Sequence, residues 1–572
     1  MKGIGASPGI VIGKAVIYWK DQIDILREYV ENPDSEVERF RVALELSVEE
    51  IQETYSRFIK RVGPREAVLF QAHRTMARDP DFVGQIERMI LDEGINAEWA
   101  VKQVSDDLIQ LFDHMEGDHM KVRSDGVRNI SDRVIKLLLH VGGTDISNLR
   151  EDAIIVARRF APADMAQIDR ERTIGLVSEE GSRASHSAII ARTLEIPAVV
   201  SAAHILDEVE NGDTLILDGE SGMVLVRPDD ETIEKYKGLK ERYETFKKSL
   251  ETVRGERTRT LDGVDIILGA NIGSPVDLDD VLRNDGESIG LYRTESLYLD
   301  SDHFPTEETQ FLAYRAVVEP MAGRPVTIRT LDVGGDKNLD YLAVPEEKNP
   351  FLGYRAIRIC LDRPEVFKVQ LRAMLRASAF GQVRILLPMI SSLEELRSAK
   401  AILEEARAEL REENLPFGDV QTGIMVEVPS TAILSDHFAP EVDFFSIGTN
   451  DLIQYTVAAD RENEKLAPLY SQYHPAVLRL IRTVIDNGRA SGVPVAMCGE
   501  SAGDPKLIPV LLGLGLSEFS MNPSSILQAR WILRNISRKD LASAADEALS
   551  LGTAREVEDY CAGLLVALKL VH

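Results

Sequence analysis

The sequence predicts a multidomain α/β protein whose C-terminal half is a (β/α)8 barrel, and three observations lead to this expectation. The chain has 572 residues, more than the roughly 250–300 residues at which a single hydrophobic core stops growing. After residue 260, apolar strands alternate with helical stretches. Before it, a long segment with helical periodicity separates two β-rich segments.

The two β-rich segments, residues 1–21 and 147–228, predict one α/β domain that is interrupted by a helical insertion. Both contain short apolar runs bounded by turn residues. Between them, apolar residues recur every three or four positions over 37–58, directly after the helix-start signal at 33–36. We therefore expect residues 22–146 to form an all-helical insertion.

A long connecting helix and a barrel are expected to follow. Residues 229–258 carry one apolar stripe and are strongly charged elsewhere, which is typical of a helix that joins domains. Residues 259–572 are predicted to form the barrel, whose catalytic groups should lie at the C-terminal ends of its strands. The eight strand-like runs lie near 265–271, 288–293, 325–331, 382–388, 422–428, 443–448, 494–498 and 517–521.

The composition excludes several classes of partner. Lys and Arg total 66 against 94 for Asp and Glu, a net charge of −28 that repels nucleic acid and anionic membranes. No uncharged apolar run approaches the ~18–20 residues that span a bilayer. The cysteines, Cys360, Cys498 and Cys561, lack metal-site spacing and suit a reducing compartment. We expect a soluble, cytoplasmic protein without direct membrane insertion.

His186 is the first candidate for chemistry. In the segment GSRASHSAIIARTLEIPAVV it lies between small residues at the start of a helix-like apolar run. A neutral imidazole there is accessible and has backbone N–H groups nearby that suit a phosphate. A lone histidine is more often a hydrogen-bonded structural group, so this position alone leaves both interpretations open.

Several basic residues in the barrel half form a candidate anion clamp. The planar guanidinium of arginine suits bidentate recognition of phosphate or carboxylate, and several together could bind a highly charged substrate in an acidic protein. Any one of them alone is more often a surface or salt-bridged residue. The candidates are Arg293, Arg329, Lys337, Arg355 and Arg461.

Two acidic residues, Glu427 and Asp451, are candidate metal ligands. Glu427 lies in the apolar run IMVEVPS, where an unpaired carboxylate is costly to bury, and Asp451 follows SIGTN at another strand end. A shared Mg²⁺ would offset both costs and leave positions for substrate oxygens. The alternative is that each forms a salt bridge with a neighbouring arginine.

Cys498, in VAMCGESAGDP, ends a predicted barrel strand. Cysteines in apolar strands usually serve packing. A thiol with an ordinary pKa of about 8.5 is protonated near neutral pH, however, and can act as an acid.

Together these motifs resemble enzyme I of the bacterial sugar phosphotransferase system, the phosphoenolpyruvate–protein phosphotransferase family. The resemblance extends from SPGIVIGKA through FQAHRTMARDP to CGESAGDP and covers nearly the whole chain. It implies that His186 carries the phosphoryl group on a swivelling domain, that Glu427 and Asp451 bind Mg²⁺, and that Cys498 protonates the enolate. The residues that match the family's substrate-binding positions are Arg293, Arg329, Lys337, Arg355, Asn450, Asp451 and Arg461.

The resemblance also implies an activity and partners. The family transfers the phosphoryl group of phosphoenolpyruvate to its own histidine and then to a histidine of the phosphocarrier protein HPr, releasing pyruvate, as the first step of sugar transport. HPr would dock on the helical insertion, and the barrel would form a homodimer. The sequence departs from the family pattern at Ala161, Ser182 and Ala184, which bears on how His186 is tuned.

Two other functions are alternatives to this one. A pyruvate phosphate dikinase or phosphoenolpyruvate synthase shares the histidine domain and the barrel but needs an ATP-binding domain. The insertion has neither the length nor the glycine-rich loop for it. A regulatory protein that senses phosphoenolpyruvate by self-phosphorylation stays open, and transfer to purified HPr would distinguish it.

Overall fold

The chain divides into two compact units, Met1–Thr245 and Phe246–His572. Among the described residues, no helix is both long and apolar enough to cross a bilayer. This computed structural model describes residues 1–18, 25–58, 79–113, 118–139, 146, 149, 151–160, 164–165, 168–182, 185–299, 301–334, 339, 341–342, 347–461, 463, 465–466 and 468–570.

The first unit contains a seven-stranded mixed sheet with the order β1-β5-β4-β3-β2-β6-β7. Strand β2, from the N-terminal segment, pairs in parallel with β3, from the segment after the helices, with Lys14 opposite Ala153. This pairing joins the two β-rich segments into one sheet. The strands are β1 (Ile4–Ser7), β2 (Ile10–Tyr18), β3 (Ala153–Ala157), β4 (Thr173–Ser178), β5 (Ala198–Val200), β6 (Thr214–Asp218) and β7 (Met223–Val226).

Both faces of this sheet are covered. Alternate residues of β3 point to opposite faces, as strand geometry requires. Ile155 belongs to one apolar cluster with Leu176 and Ile190, whereas Ile154 belongs to another with Leu215. All five residues of β3 are buried, as expected for a parallel strand covered on both sides.

Between β2 and β3, the described residues contain four helices that form their own core. Asp79 caps the second helix by accepting from Asp81 N, and Gly94 ends it in the left-handed conformation at φ 61°. Phe40, Ile86 and Val101 lie in an apolar cluster whose members all come from residues 25–139. The helices are α1 (Pro33–Phe58), α2 (Pro80–Glu93), α3 (Ala97–Asp113) and α4 (Asp118–Leu139).

The helices described after this segment in the first part of the chain are α5 (His186–Thr193), α6 (Ile205–Glu208) and α7 (Asp230–Glu251). Helix α7 has no buried residue over its 22 residues, and the boundary between the two units falls within it. Near its C-terminal end, the ring of Phe246 contacts Trp531 edge-on, with centroids 5.4 Å apart. This contact lies within the second unit, which begins at Phe246.

The second unit is a closed barrel of eight parallel strands in which each strand pairs with its neighbours in chain order. The predicted fold class, with its helical insertion and (β/α)8 barrel, is confirmed. The strands are β8 (Ile267–Ile272), β9 (Ser288–Tyr292), β10 (Val326–Arg329), β11 (Val383–Leu387), β12 (Gln421–Val426), β13 (Phe444–Ile447), β14 (Val495–Met497) and β15 (Glu518–Met521).

Helices surround the barrel, and several begin at side-chain caps that fix where the chain turns. Ser392 and Thr553 each form a capping box with a glutamate three residues later. The helices are α8 (Leu278–Arg283), α9 (Ser296–Leu299), α10 (Glu307–Val318), α11 (Ile357–Asp362), α12 (Pro364–Ala377), α13 (Leu393–Glu412), α14 (Pro429–Ile433), α15 (Ser435–Phe438), α16 (Thr449–Val457), α17 (Pro475–Ser491), α18 (Ile508–Leu514), α19 (Ile526–Arg534), α20 (Arg538–Ser550) and α21 (Ala554–Ala567).

A fully buried arginine, Arg530 of α19, ties the segment after α7 to the barrel. Its Nε donates to Thr258 Oγ1 at 3.0 Å, and its Nη2 donates to the backbone oxygen of Asp285 at 2.7 Å. Its Nη1 also contacts the Asp285 carboxylate, which accepts from Gly255 N at 2.7 Å. One guanidinium thus binds two loops that lie 272 and 245 positions before it in the sequence.

We predict that Arg530→Met lowers the free energy of unfolding of the barrel by about 3 kcal/mol, because it removes a fully buried guanidinium that pairs with the partly buried Asp285 and donates to Thr258. Differential scanning calorimetry of the full chain should show a lower transition midpoint. Arg283→Met is the control, since this arginine is 66% exposed and lies 3.4 Å from Asp280. Equal midpoints for the two variants would show that the buried network adds no net stability.

Candidate active site

The C-terminal ends of the barrel strands carry most of the residues predicted from the sequence. Arg293 follows β9, Arg329 ends β10, Glu427 follows β12, Asn450 and Asp451 lie at the start of α16 after β13, and Cys498 follows β14. Because the strands are parallel, all of these positions lie at one end of the barrel. Arg355 and Arg461 join them through Asp451, whose Oδ1 lies 3.5 and 3.8 Å from their Nη1 atoms.

Arg329 is held at this end by two carboxylates. Its Nη2 donates to Glu295 Oε1 at 2.6 Å, and its Nη1 lies 3.0 Å from Asp332 Oδ2. Burial opposes the charge of this guanidinium, but Glu295, Asp332 and Glu427 outweigh that effect and raise the pKa of Arg329 above its ordinary value. The side chain therefore stays cationic although it is only 7% exposed.

Arg355 shares Asp332 with Arg329. Its Nη2 donates to Asp332 Oδ1 at 2.9 Å, and its Nη1 donates to the hydroxyl of Tyr455 at 3.1 Å. Burial again opposes the charge, and Asp332 and Asp451 raise the pKa of Arg355 above its ordinary value. This residue is buried at the site, where it can face a bound anion.

The ring of Phe351 lies beneath two of the arginines. The guanidinium carbons of Arg355 and Arg461 lie 5.9 and 5.8 Å from its centroid. Both distances fall within the range of a cation–π contact. Both guanidinium groups therefore contact the same aromatic ring, which stabilises two cations close to each other.

Arg293 differs from the other arginines. Its side chain makes no hydrogen bond or ion pair with any residue that the structure describes. Burial lowers the pKa of Arg293, and the nearby charge of Arg329 lowers it further. A guanidinium in this state gains more from an incoming anion than one that is already neutralised by a carboxylate.

Glu427 and Asp451 form the candidate metal site. Glu427 is 1% exposed, and its Oε1 accepts from Met389 N at 2.6 Å. Burial raises the pKa of Glu427 to about 8, with further contributions from Asp451 and Asp332. Asp451 Oδ1 is buried and makes no hydrogen bond with the described residues. A buried carboxylate whose charge is disfavoured by a second buried carboxylate nearby is what a shared cation stabilises.

This donor set fits Mg²⁺. Both residues offer hard carboxylate oxygens, and a Cβ atom at Gly448 would lie 2.9 Å from Glu427 Oε2, so glycine leaves room beside that oxygen. The salt-bridge alternative describes Asp451, which has two guanidinium neighbours. It does not describe Glu427, for which the described residues supply no ion pair. Among those residues, no group of three or more His, Cys, Asp or Glu could hold a metal.

Asn450 lies beside Asp451, and the oxygen of its side-chain amide makes a hydrogen bond. Its Oδ1 accepts from Glu500 N at 3.3 Å, and its backbone oxygen accepts from the hydroxyl of Tyr470 at 3.0 Å. Among the described residues, its Nδ2 has no hydrogen-bond partner. That amide group can donate to a substrate oxygen.

Cys498 is 2% exposed and belongs to an apolar cluster inside the barrel. Its thiol lies 3.8 Å from the carbonyl oxygen of Ile447 and can donate to it. Burial raises the pKa of Cys498, so the thiol is protonated at neutral pH and retains a proton to give. The cluster is completed by Leu291, Leu386, Met425 and Phe444.

His186 is the first residue of α5, in the other unit. Ser185 caps this helix by accepting from Ala188 N at 3.4 Å, and its own hydroxyl donates to Ser182 O at 2.8 Å. The backbone of the helix start is thereby fixed, and Ser182 takes part through its carbonyl group. The side chain of His186 lies outside the described part of the structure, as do Lys337, Ala161 and Ala184.

Sequence reasoning missed the residues that hold the clamp. Glu295 and Asp332 pair with Arg329, and Met389, at a positive φ of 57°, supplies the N–H that binds Glu427. For the two acids a signal existed, because each lies two or three residues after an arginine of the clamp motifs. The backbone conformation of Met389 has no comparable signal in its side chain.

Known proteins match this chain over most of its length. Three family models match: PEP-utilising enzyme, N-terminal (residues 2–123), mobile domain (149–222) and PEP-binding domain (247–538). Phosphoenolpyruvate-protein phosphotransferase of Staphylococcus carnosus is 47% identical over 560 residues, 98% of each chain. Those of Listeria innocua and Bacillus subtilis are each 45% identical over 558 residues, 97% of this chain and 98% of theirs.

Among solved structures, an NMR solution structure of an enzyme I protein is 38% identical, with a TM-score of 0.38, covering 43% of this chain and 99% of that one. The family models and the relatives agree with each other over both units. The chain is therefore an enzyme of the phosphoenolpyruvate-utilising group and belongs to the phosphoenolpyruvate-protein phosphotransferase family.

Proposed function

We propose that this enzyme transfers the phosphoryl group of phosphoenolpyruvate to its own His186, releases pyruvate, and passes the group to a histidine of HPr as the first step of sugar transport. The observation that carries the proposal is the gathering of Arg329, Arg355 and Arg461 around buried acids at the active end of the barrel. Membership of the phosphotransferase family supports the same reaction.

The substrate brings three negative charges into an acidic protein, and the arginines compensate for them. Arg293 has no partner among the described residues and would take an anionic oxygen, together with Arg329, Arg355, Arg461 and Lys337. The Asn450 amide would donate to another substrate oxygen. Donors that are already fixed stabilise the charge that develops in a loose phosphoryl-transfer transition state.

The bond changes assign a role to each reacting group. A nitrogen of the His186 imidazole attacks the phosphorus in line, the bond between phosphorus and the enol oxygen breaks, and the electron pair leaves with the enolate. The Cys498 thiol gives its proton to the methylene carbon of that enolate, which becomes pyruvate. The raised pKa of Cys498 keeps this proton available until the enolate forms.

Glu427 and Asp451 would hold Mg²⁺, which supplies positive charge next to the phosphoryl oxygens. Their own part is to present two carboxylate oxygens at a fixed place. The N–H of Met389 orients Glu427, and Arg355 and Arg461 flank Asp451. Asp451 therefore serves both the metal and the clamp.

The proposal divides the work among parts of the chain. His186 lies in the α/β domain, for which we propose residues 1–21 and 147–228, and the clamp lies in the barrel, residues 259–572. The imidazole must reach the barrel site in each cycle and then return to HPr, which would dock on the helical insertion, residues 22–146. Helix 229–258 would connect the two parts, the barrel would form a homodimer, and the enzyme would work in the cytoplasm.

The Staphylococcus carnosus relative, which is named as a phosphotransferase, aligns over 98% of both chains, and this favours the proposed reaction over that of a dikinase. A regulatory protein that only phosphorylates itself is distinguished by one assay. Radiolabelled phosphoenolpyruvate and Mg²⁺ are added to the enzyme with purified HPr, and label on HPr is measured. Label that stays on the enzyme would contradict the transfer step.

We predict that phosphoenolpyruvate with Mg²⁺ places one acid-labile phosphoryl group on His186, because its helix start suits a phosphate. Mass spectrometry of the labelled enzyme should locate the group, and His186→Ala should take up none. His204→Ala is the control, since this histidine lies in the same unit with its side chain 81% exposed, and it should label fully. Full labelling of His186→Ala would contradict the assignment.

We predict that Cys498→Ala slows pyruvate formation by roughly 100-fold or more, the usual contribution of a general acid. Calorimetric titration with phosphoenolpyruvate and Mg²⁺ should still detect binding, because the clamp is intact. Cys561→Ala, which removes a buried thiol of α21 outside the site, should turn over normally. If both variants match the parent enzyme, Cys498 is a packing residue.

We predict that Glu427→Gln stabilises the metal-free protein, and more so at pH 8 than at pH 5. The pKa of Glu427 is raised from 4.5 to about 8 in the folded state, so the unfolded chain releases this proton more easily. The destabilising contribution therefore begins near pH 4.5, grows as the pH rises, and levels off above about 8. The glutamine side chain of the variant cannot ionise, so the variant does not have this destabilising contribution.

The measurement is the calorimetric melting midpoint of both proteins at the two pH values, with and without saturating Mg²⁺. Mg²⁺ should raise the midpoint of the wild type and remove the advantage of the variant. Glu412→Gln, an exposed position at the end of α13, is the control. If the difference in melting midpoint between wild type and Glu427→Gln is the same at both pH values, the raised pKa of Glu427 is contradicted.

A further inference from the structure

Asp332 contacts two of the clamp arginines at once. It lies three residues after Arg329 in the segment that follows β10, and it is 2% exposed. Its Oδ2 lies 3.0 Å from Arg329 Nη1, and its Oδ1 accepts from Arg355 Nη2 at 2.9 Å. Arg355 reaches it twice more, from Nη2 to Oδ2 at 3.2 Å and from Nε to Oδ1 at 3.3 Å.

We infer that Asp332 is a positioning residue that fixes Arg329 and Arg355 as one rigid pair facing the phosphoryl and carboxylate oxygens of the substrate. The inference rests on the proposed function, because it concerns how the same site binds phosphoenolpyruvate. Asp332 itself would touch neither the substrate nor a reacting atom. It acts through the two guanidinium groups.

The contacts require a carboxylate at this position. Both oxygens of Asp332 face guanidinium nitrogens, so each must be an acceptor. An asparagine has nearly the same shape but presents an NH₂ group at one of the two positions. Whichever way its amide is turned, a donor meets an N–H of Arg329 or of Arg355, and one of the two arginines must move.

The other contacts of these arginines serve one residue each. Glu295 binds Nη2 of Arg329, and the Tyr455 hydroxyl binds Nη1 of Arg355. Asp332 alone of these three joins both guanidinium groups. Among the described residues, Arg329 Nε is buried without a hydrogen bond, so the arginine is held by its Nη atoms while a donor stays available.

Charge explains why such a bridge helps the reaction. Two buried guanidinium groups repel each other and would separate, or rearrange when the substrate arrives, unless an anion lies between them. With Asp332 in place, the donors keep the same positions before and after binding. Groups that need no reorganisation in the transition state contribute most to its stabilisation.

The test is Asp332→Asn in the full-length enzyme, assayed with phosphoenolpyruvate, Mg²⁺ and HPr. We expect kcat/KM for phosphoenolpyruvate to fall by about 100-fold, as for a reacting geometry misplaced by roughly 1 Å. Transfer from phospho-HPr back to His186, which does not use the barrel, should change by less than about twofold. A kcat/KM for phosphoenolpyruvate within about threefold of the wild type would overturn the inference.

A double-mutant cycle separates positioning from general support of the fold. If Asp332 acts through Arg355, the loss in kcat/KM for Asp332→Asn combined with Arg355→Lys should be smaller than the product of the two single losses. The melting midpoints of the same four proteins should show a smaller coupling between the two substitutions than kcat/KM does. Losses in kcat/KM that multiply fully would overturn the inference.

If Asp332→Asn does not fold, Asp332→Glu provides the test. It keeps the anion, but the extra methylene cannot leave both guanidinium groups in place, so kcat/KM should fall at least about tenfold. Unchanged activity would show that only charge balance matters and would overturn the positioning role. If the wild-type enzyme takes no phosphoryl group from phosphoenolpyruvate, the proposed function itself is wrong. If the wild type is active and the variant is equally active, only the positioning role of Asp332 is wrong.

Discussion

Charges buried at the C-terminal end of the barrel must be neutralised, and this constraint organises the candidate site. An isolated ion in a protein interior is expensive, whereas a paired one with further hydrogen bonds is tolerated. Glu295, Asp332 and Asp451 serve as internal counter-ions of Arg329, Arg355 and Arg461. Two groups remain outside this pairing among the described residues, the Arg293 guanidinium and the Glu427 carboxylate, one suited to an anion and the other to a cation.

The barrel presents this cluster because its strands are parallel and close in chain order. Each strand delivers its last residue to the same end, so groups from β9, β10, β12, β13 and β14 meet there although they are scattered over some 200 positions of the chain. The other unit fixes the helix start of His186 through Ser185 and the carbonyl of Ser182. In the proposed reaction, the substrate-binding groups are thus positioned by parallel barrel strands, and the phosphoryl acceptor by a capped helix start.

The fold was largely predictable from the sequence, because each barrel strand is an apolar run and each interruption carries turn or helix signals. The chemical groups were also visible, since Arg329, Glu427 and Cys498 end such runs; their roles stay predictions. Their supports were harder to foresee. The N–H of Met389 meets Glu427 across 38 positions, and the Tyr455 hydroxyl meets Arg355 across 100. Such pairings depend on strand register and loop path, which local patterns do not encode.

The burial that keeps Cys498 protonated also shields it from oxidants. Peroxide and alkylating agents react with the thiolate of an accessible cysteine and poorly with a neutral thiol. Cys498 is 2% exposed, its pKa is raised, and its neighbours inside the barrel are Leu291, Leu386, Met425 and Phe444. If Cys498 serves as the proposed acid, its sulfur can survive oxidative stress, because in that reaction the thiolate would form only after the proton has passed to the enolate.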